Sequence, residues 1–229
     1  MKNKTVLAIG AHPDDIEFGC PVTVRNYIDQ GHTAYYIIAT NGENGFKKKS
    51  MTRQERINVR KKEQLKAASM VGVKKVFFLD YRDGFLEYTD ELRKKLTKII
   101  KELRPEIILS FDPANLEFNN INLNHRDHRT IGRAVFDAVF AAKNDHIYPD
   151  KNGKHMVKQM LFFGTHKPDY RVDITDSLQF KLDIFRCFDS QFPNYDNFAS
   201  FLKENIIPKD ENGRYYEEFR KMDVVQISY

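Results

Sequence analysis

Four short apolar runs constrain this chain most: Thr5-Val6-Leu7-Ala8-Ile9, Ala34-Tyr35-Tyr36-Ile37-Ile38-Ala39, Val76-Phe77-Phe78-Leu79 and Ile107-Ile108-Leu109. Each is continuous rather than alternating and rich in β-branched or aromatic residues, the pattern of strands buried on both faces of a parallel sheet. Helical patterns lie between them. Leu92, Leu96, Ile99, Ile100 and Leu103 fall on one helical face that ends before Pro105, and Ile131, Ala134, Val135, Ala138 and Ala142 repeat the spacing. Arg53 to Val71 reads as a third helix with a weaker stripe, closed by Gly72. The alternation predicts a Rossmann-like α/β fold, a mainly parallel sheet with helices on both faces.

Further on, Met160–Phe163 and Arg171–Ile174 read as strands and Leu178–Phe188 as a helix, while the chain after Pro193 is aromatic-rich without a period. No linker or repeat divides the 229 residues, so 1–229 is expected to form one domain. No apolar run approaches the roughly 18–20 residues that span a bilayer, and the start MKNKTVLAIG enters a strand without a cleavage site, so a cytoplasmic protein with no membrane span is expected. Eleven basic and two acidic residues between Lys47 and Lys75 make a local net of +9 in a chain whose total is +5. That segment holds no aromatic residue on which a base could stack, so it reads as a solvated surface and no nucleic-acid partner is expected.

In open α/β sheets ligands bind beyond the carboxyl ends of the strands. Three of the four loops there are polar and carboxylate-rich: Gly10-Ala11-His12-Pro13-Asp14-Asp15, Thr40-Asn41-Gly42-Glu43-Asn44-Gly45, and the stretch from Asp112 through His125-Arg126-Asp127-His128. The first loop stands where a glycine-rich phosphate loop would begin, yet it offers an imidazole and two carboxylates, which repel a phosphate and attract a cation. Only Cys20 and Cys187 are present, so a metal would have to be held by His and carboxylates. A catalytic zinc takes about three protein ligands and keeps one position open. His12 and Asp15 supply two, one of the two histidines in His125-x-x-His128 a third, and Asp127 could orient an imidazole through its second ring N–H.

Ala11-His12-Pro13-Asp14-Asp15, with His125-Arg126-Asp127-His128 following Ser110-Phe111-Asp112-Pro113, resembles the PIG-L/LmbE family of zinc-dependent N-deacetylases, which act on N-acetylglucosamine-containing molecules. Thr40–Glu43, Arg60–Glu63, Val172–Ile174 and Ser190-Gln191 extend the resemblance over residues of about 5 to 191. It implies His12, Asp15 and His128 as metal ligands, Asp14 as general base, His125 as the second catalytic histidine, protonated to stabilise the oxyanion, and Asp127 as the residue orienting His125. Glu43, Arg60 and Asp83 match positions that line or support the substrate pocket. Two departures stand out. Leu123 replaces an aromatic residue found before the second motif in some members, and Phe188 replaces the His of a late His-x-x-Gln pattern ending at Gln191, leaving that element structural.

The expectation is therefore a hydrolase with one Zn²⁺ per chain that removes the N-acetyl group from a small amino-sugar derivative and releases acetate. Mixed nitrogen and oxygen ligands also suit Fe²⁺, Co²⁺ or Mn²⁺. The alternative is an amidase of the same fold opening a larger amide, such as a thiol conjugate or an antibiotic precursor. Family members often assemble, so a homo-oligomer is compatible with the resemblance.

Overall fold

The structure is a computed structural model that describes residues 3–46, 50–115, 117–118 and 120–224. Strands β1 (Thr5–Gly10), β2 (Thr33–Thr40), β3 (Lys75–Tyr81), β4 (Ile107–Phe111), β5 (Gln159–Phe163), β6 (Tyr170–Asp173) and β7 (Tyr216–Asp223) form one sheet in the order β3-β2-β1-β4-β5-β7-β6. The first five are parallel, and β7 runs antiparallel to both β5 and β6. The helices are α1 (Asp15–Gly19), α2 (Pro21–Asp29), α3 (Arg53–Val71), α4 (Asp90–Leu103), α5 (Arg126–Ala142), α6 (Leu178–Ile184) and α7 (Tyr195–Phe201).

Every strand and helix expected from hydrophobic pattern is present, and the α/β fold class holds. Parallel crossovers are right-handed. Stepping from β1 outward to β3 and then back across to β4 and β5 therefore puts α2 and α3 on one face and α4 and α5 on the other. Consistent with this, α4 packs on α5, and α2 packs on α3 and α6. Val6, Leu7, Ile9, Ile37, Ile38, Ile108 and Leu109 are fully buried, which is why these strands read as unbroken apolar runs.

Local chemistry sets the helix ends. Thr52 and Glu55 close a capping box at the start of α3, and Gly72, at φ 95°, takes the left-handed turn that ends it. Gly132 of α5 is required by proximity: a Cβ there would lie 2.9 Å from the carbonyl oxygen of Phe111, so only glycine lets the helix approach the end of β4 this closely. That approach brings the first turn of α5 beside the turn after β1. Among the described residues no helix is long and apolar enough to cross a membrane.

The chain after Pro193, without a period in the sequence, folds into α7, a π-helical turn over Leu202–Ile206, and β7. An inward-facing residue of β7 is Glu217, fully buried against Lys181 Nζ at 2.8 Å and the main-chain N–H groups of Val22 and Thr23. A strand whose core side includes a carboxylate shows no apolar alternation, because its partners are brought to it only by the fold.

Candidate metal and catalytic centre

The order β3-β2-β1-β4-β5 reverses direction between β1 and β4, and the crevice of such a sheet opens beyond the carboxyl ends at that switch point. The turn after β1 and the first turn of α5 meet there. Oδ2 of Asp15 accepts hydrogen bonds from the main-chain N–H of Ala11 at 2.8 Å and of His12 at 2.7 Å, which fixes the carboxylate against the turn. Nδ1 of His12 lies 3.4 Å from Oδ2 of Asp15 and 3.2 Å from Nε2 of His128, and Nε2 of His128 lies 3.2 Å from Oδ1 of Asp15. The two imidazole nitrogens and the Asp15 carboxylate, one of its oxygens toward each imidazole, thus lie within 3.2 to 3.4 Å of one another. Four ligands at zinc bond lengths of about 2.0–2.1 Å, arranged tetrahedrally, stand about 3.3 Å apart.

The second nitrogen of each imidazole is occupied. Nδ1 of His128 faces the carbonyl oxygen of Leu123 at 3.1 Å, and the ring stacks on Phe111 with centroids 4.1 Å apart. Nε2 of His12 faces Oδ2 of Asp127 at 3.2 Å and Oδ1 of Asp83 at 3.3 Å. Those acceptors suit an N–H on each outer nitrogen, which would leave the facing atoms, His12 Nδ1 and His128 Nε2, 3.2 Å apart beside the Asp15 carboxylate, free to take a cation in place of a proton. His12, His125 and His128 also bring ligand atoms within 4.8 Å of one another, as do His12, Asp83 and Asp127.

Electrostatics follow the geometry. Burial alone would lower the pKa of His12, but Asp15, Asp127 and Asp83 together raise it well above its ordinary value. Burial pushes Asp15 up, and His128 and His12 more than reverse this, holding its carboxyl well below the usual range. Asp14 behaves oppositely. Burial raises its carboxyl, the Arg60 guanidinium opposes the shift and the adjacent Asp15 adds to it, with a net increase. Adjacent carboxylates are thereby pushed apart, one kept ionised and one made more basic.

Asp14 is also unusual in backbone. It is the N-cap of α1 yet sits at φ 101°, ψ −23°, and its side chain makes no capping bond. Its Oδ2 accepts instead from Nη2 of Arg60 at 2.7 Å. Arg60 was expected at the substrate pocket. It is 2% exposed, donates also to the carbonyl of Pro13 and to Glu63 at 3.2 Å, and lies 5.6 Å from the ring centroid of Phe188. Arg60 is therefore a support for Asp14, and Phe188, in the place of a histidine, is part of the floor beneath it.

The other two expected pocket residues are likewise turned inward. Asp83 backs His12, and its Oδ2 accepts the N–H of Asn44 at 2.9 Å, so its carboxylate is spent on orientation. Opposing burial, His12 and the Asn44 N–H hold its pKa down. Glu43 is 2% exposed and sits between the half-exposed guanidiniums of Arg53 and Arg82, with Nε of Arg82 at 3.5 Å. The basic segment is thus not uniformly solvated: Arg53 and Arg60 neutralise carboxylates around the crevice, while Lys47–Lys49 lie outside the described residues.

Asp127 also differs from expectation. Its carboxylate reaches His12, and its remaining bonds come from the N–H groups of Gly84 at 2.7 Å and Leu86 at 3.1 Å, not from His125. His125 instead caps α5: its Nδ1 accepts the N–H of Asp127 at 3.1 Å. With Nδ1 an acceptor, the ring carries its proton on Nε2. Burial, then the neighbouring His12 and His128, lower the His125 pKa and favour that neutral form, where protonation was expected. The loop after β3 supplies Asp83, named from the sequence for the substrate pocket, and the Gly84 N–H, which the sequence reading did not single out.

A crevice at the β1/β4 switch point, lined by His12, Asp15 and His128, which could hold a metal ion, with Asp14 beside them, is the kind of site a hydrolase can use. The chain belongs to the PIG-L family, described as GlcNAc-PI de-N-acetylase, whose model matches residues 7–139. It is 36% identical over 194 residues to diacetylchitobiose deacetylase of Thermococcus kodakarensis, covering 83% of this chain and 71% of that protein. It is 27% identical over 206 residues to a probable N-acetyl-alpha-D-glucosaminyl L-malate deacetylase 2 of Bacillus anthracis, covering 84% of each. The solved N,N'-diacetylchitobiose deacetylase of Pyrococcus horikoshii superposes with a TM-score of 0.84 at 30% identity, covering 96% of this chain and 84% of that one.

Proposed function

We propose that the chain is a zinc-dependent N-deacetylase that hydrolyses the N-acetyl amide of a small N-acetylglucosamine-type sugar to acetate and the free amine. The observation that carries this reading is the cluster of His12 Nδ1, His128 Nε2 and the Asp15 carboxylate, whose Oδ2 faces His12 at 3.4 Å and whose Oδ1 faces His128 at 3.2 Å, beside Asp14. Support for the substrate class comes from the deacetylase relatives, which act on diacetylchitobiose or, probably, an N-acetylglucosaminyl malate.

His12, Asp15 and His128 hold the metal, and Asp83 and Asp127 orient His12 by accepting its Nε2–H. Bound there, a zinc ion supplies Lewis acidity, polarising the acetyl carbonyl and acidifying water. Asp14, its carboxyl made more basic by burial, takes the proton of the attacking water. His125 donates its Nε2–H to the oxyanion that forms at the acetyl carbonyl, with α5 holding the ring through Nδ1. Asp14 then passes the proton to the departing nitrogen, so one water is consumed and acetate and an amino sugar leave. The Arg60 guanidinium, bonded to Asp14, opposes the rise that burial gives its carboxyl.

The test is acetate release from N-acetylglucosamine, its short oligomers and its glycoside conjugates by zinc-loaded protein. Release that is lost with a chelator and restored by zinc is expected. No acetate from any acetylated amino sugar, with amine freed from another amide, would overturn the reading in favour of the amidase.

A further inference from the structure

The left-handed turn at Asp14 needs a cause. A non-glycine residue held at φ 101° costs about 1–3 kcal/mol and persists only where its surroundings impose it. An aspartate at an N-cap ordinarily adopts an extended backbone and uses its own carboxylate to accept the N–H of the second or third helical residue. In a capping box, a glutamate at the third helical position also accepts the N-cap N–H. Counting from Asp15, the third residue of α1 is Glu17, so the sequence of this turn carries both halves of a box.

The box is not closed. The N–H of Asp14 donates instead to Oε1 of Gln64 on α3 at 2.9 Å, and Nε2 of Gln64 donates to Oε1 of Glu17 at 2.9 Å. Gln64 and Glu17 are both fully buried. Gln64 is thus interposed between the two halves of the box. Glu17 reads the amide unambiguously: an acceptor beside Nε2 keeps the carbonyl oxygen toward Asp14, whereas a flipped amide would set donor against donor. Oε2 of Glu17 has no hydrogen-bond partner among the described residues, so this carboxyl is buried at a cost that the bond to Gln64 must offset.

We propose that Gln64, locked by Glu17, is a positioning residue that holds Asp14 in its left-handed turn and so keeps the Asp14 carboxylate out of its own helix cap and facing the metal site. The inference rests on the proposed role of Asp14 for its kinetic consequence but not for its geometry. Asp15 is anchored separately by the Ala11 and His12 N–H groups, so releasing Asp14 leaves the metal cluster in place.

Gln64→Met keeps the volume and removes both hydrogen bonds, and Glu17→Leu removes the lock alone. Displacing a reacting group by about 1 Å can cost about 10²-fold in rate. In zinc-loaded Gln64→Met, kcat is expected to fall about 10²-fold with KM within about twofold and zinc still near one per chain. Glu17→Gln, which retains an acceptor for Nε2, is expected to recover most of the loss seen in Glu17→Leu. A crystal structure of Gln64→Met gives a readout independent of activity: Asp14 moves to negative φ with its carboxylate capping α1. Retention of φ near its present value, or kcat per bound zinc within about twofold of wild type, would overturn the inference. Should the wild type release no acetate at all, the functional reading fails while the backbone of Asp14 in the variant still decides this one.

Discussion

Nε2 of His12, on the turn after β1, lies 3.2 Å from Oδ2 of Asp127, on the first turn of α5, so each of the two motifs completes the other. A carboxylate behind a ligating imidazole fixes its tautomer and raises its basicity, typically contributing about 10–100-fold to metal affinity. Asp127→Asn is therefore expected to weaken zinc binding by about that factor, read by competition with a chromogenic chelator. An unchanged affinity would mean that Asp127 serves only the Gly84 and Leu86 N–H groups that it also accepts.

His125 is given two jobs, one at each ring nitrogen, and they can be separated. Asparagine is a good N-cap, so His125→Asn keeps the start of α5 while deleting the Nε2–H donor. Thermal stability is expected to stay near wild type and kcat to fall about 10²–10³-fold, the usual worth of one oxyanion donor. Loss of zinc in this variant would instead make His125 a ligand.

Arg60 is buried against Asp14, Glu63 and the Pro13 carbonyl, and Glu63 further binds the Ser190 N–H at 2.8 Å. Arg60→Ala leaves buried carboxylates unpaired and is expected to cost about 3–5 kcal/mol in denaturant unfolding. A residue that merely touched substrate would raise KM with little change in stability.

Glu17 makes a pH-dependent contribution. Burial, partly offset by Gln64, pushes its carboxyl from 4.5 up to about 8. Between those values the folded chain retains a proton that the unfolded chain has lost, so stability falls as pH rises through that window and levels off above it. The drop attributable to Glu17 is on the order of 5 kcal/mol. Comparing urea unfolding of wild type and Glu17→Gln at pH 5 and pH 8.5 isolates it: the difference between the two proteins must move in the variant's favour at the higher pH. A constant difference would show that Glu17 is ionised in the fold.

Much of this was legible in the sequence, for reasons that particular residues make plain. The mostly buried runs in β1, β2 and β4 carry their burial in their composition. His12 with Asp14 and Asp15, and His125 with His128, are local motifs at the ends of β1 and β4, so strand order alone brings them together. What escaped is what depends on pairing across the fold. Asp83, Arg60 and Glu43 were expected to line or support the substrate pocket, and the partners each has at close range, His12, Asp14 and Arg82, come from other parts of the fold. The carboxylate of Asp127 turns to His12 because Gly84 and Leu86 hold it from the other side. β7 stayed hidden because Glu217 packs inward on Lys181, 36 positions away.

The central claim is a division of labour between adjacent aspartates, Asp15 binding metal and Asp14 moving the proton. The most direct measurement is zinc content and acetate release in Asp14→Asn beside wild type. The account predicts about one zinc per chain in both, with turnover in the variant lower by about 10²–10⁴-fold, the usual worth of a positioned acid–base group. Near-wild-type turnover, or a variant that no longer retains zinc, would contradict it.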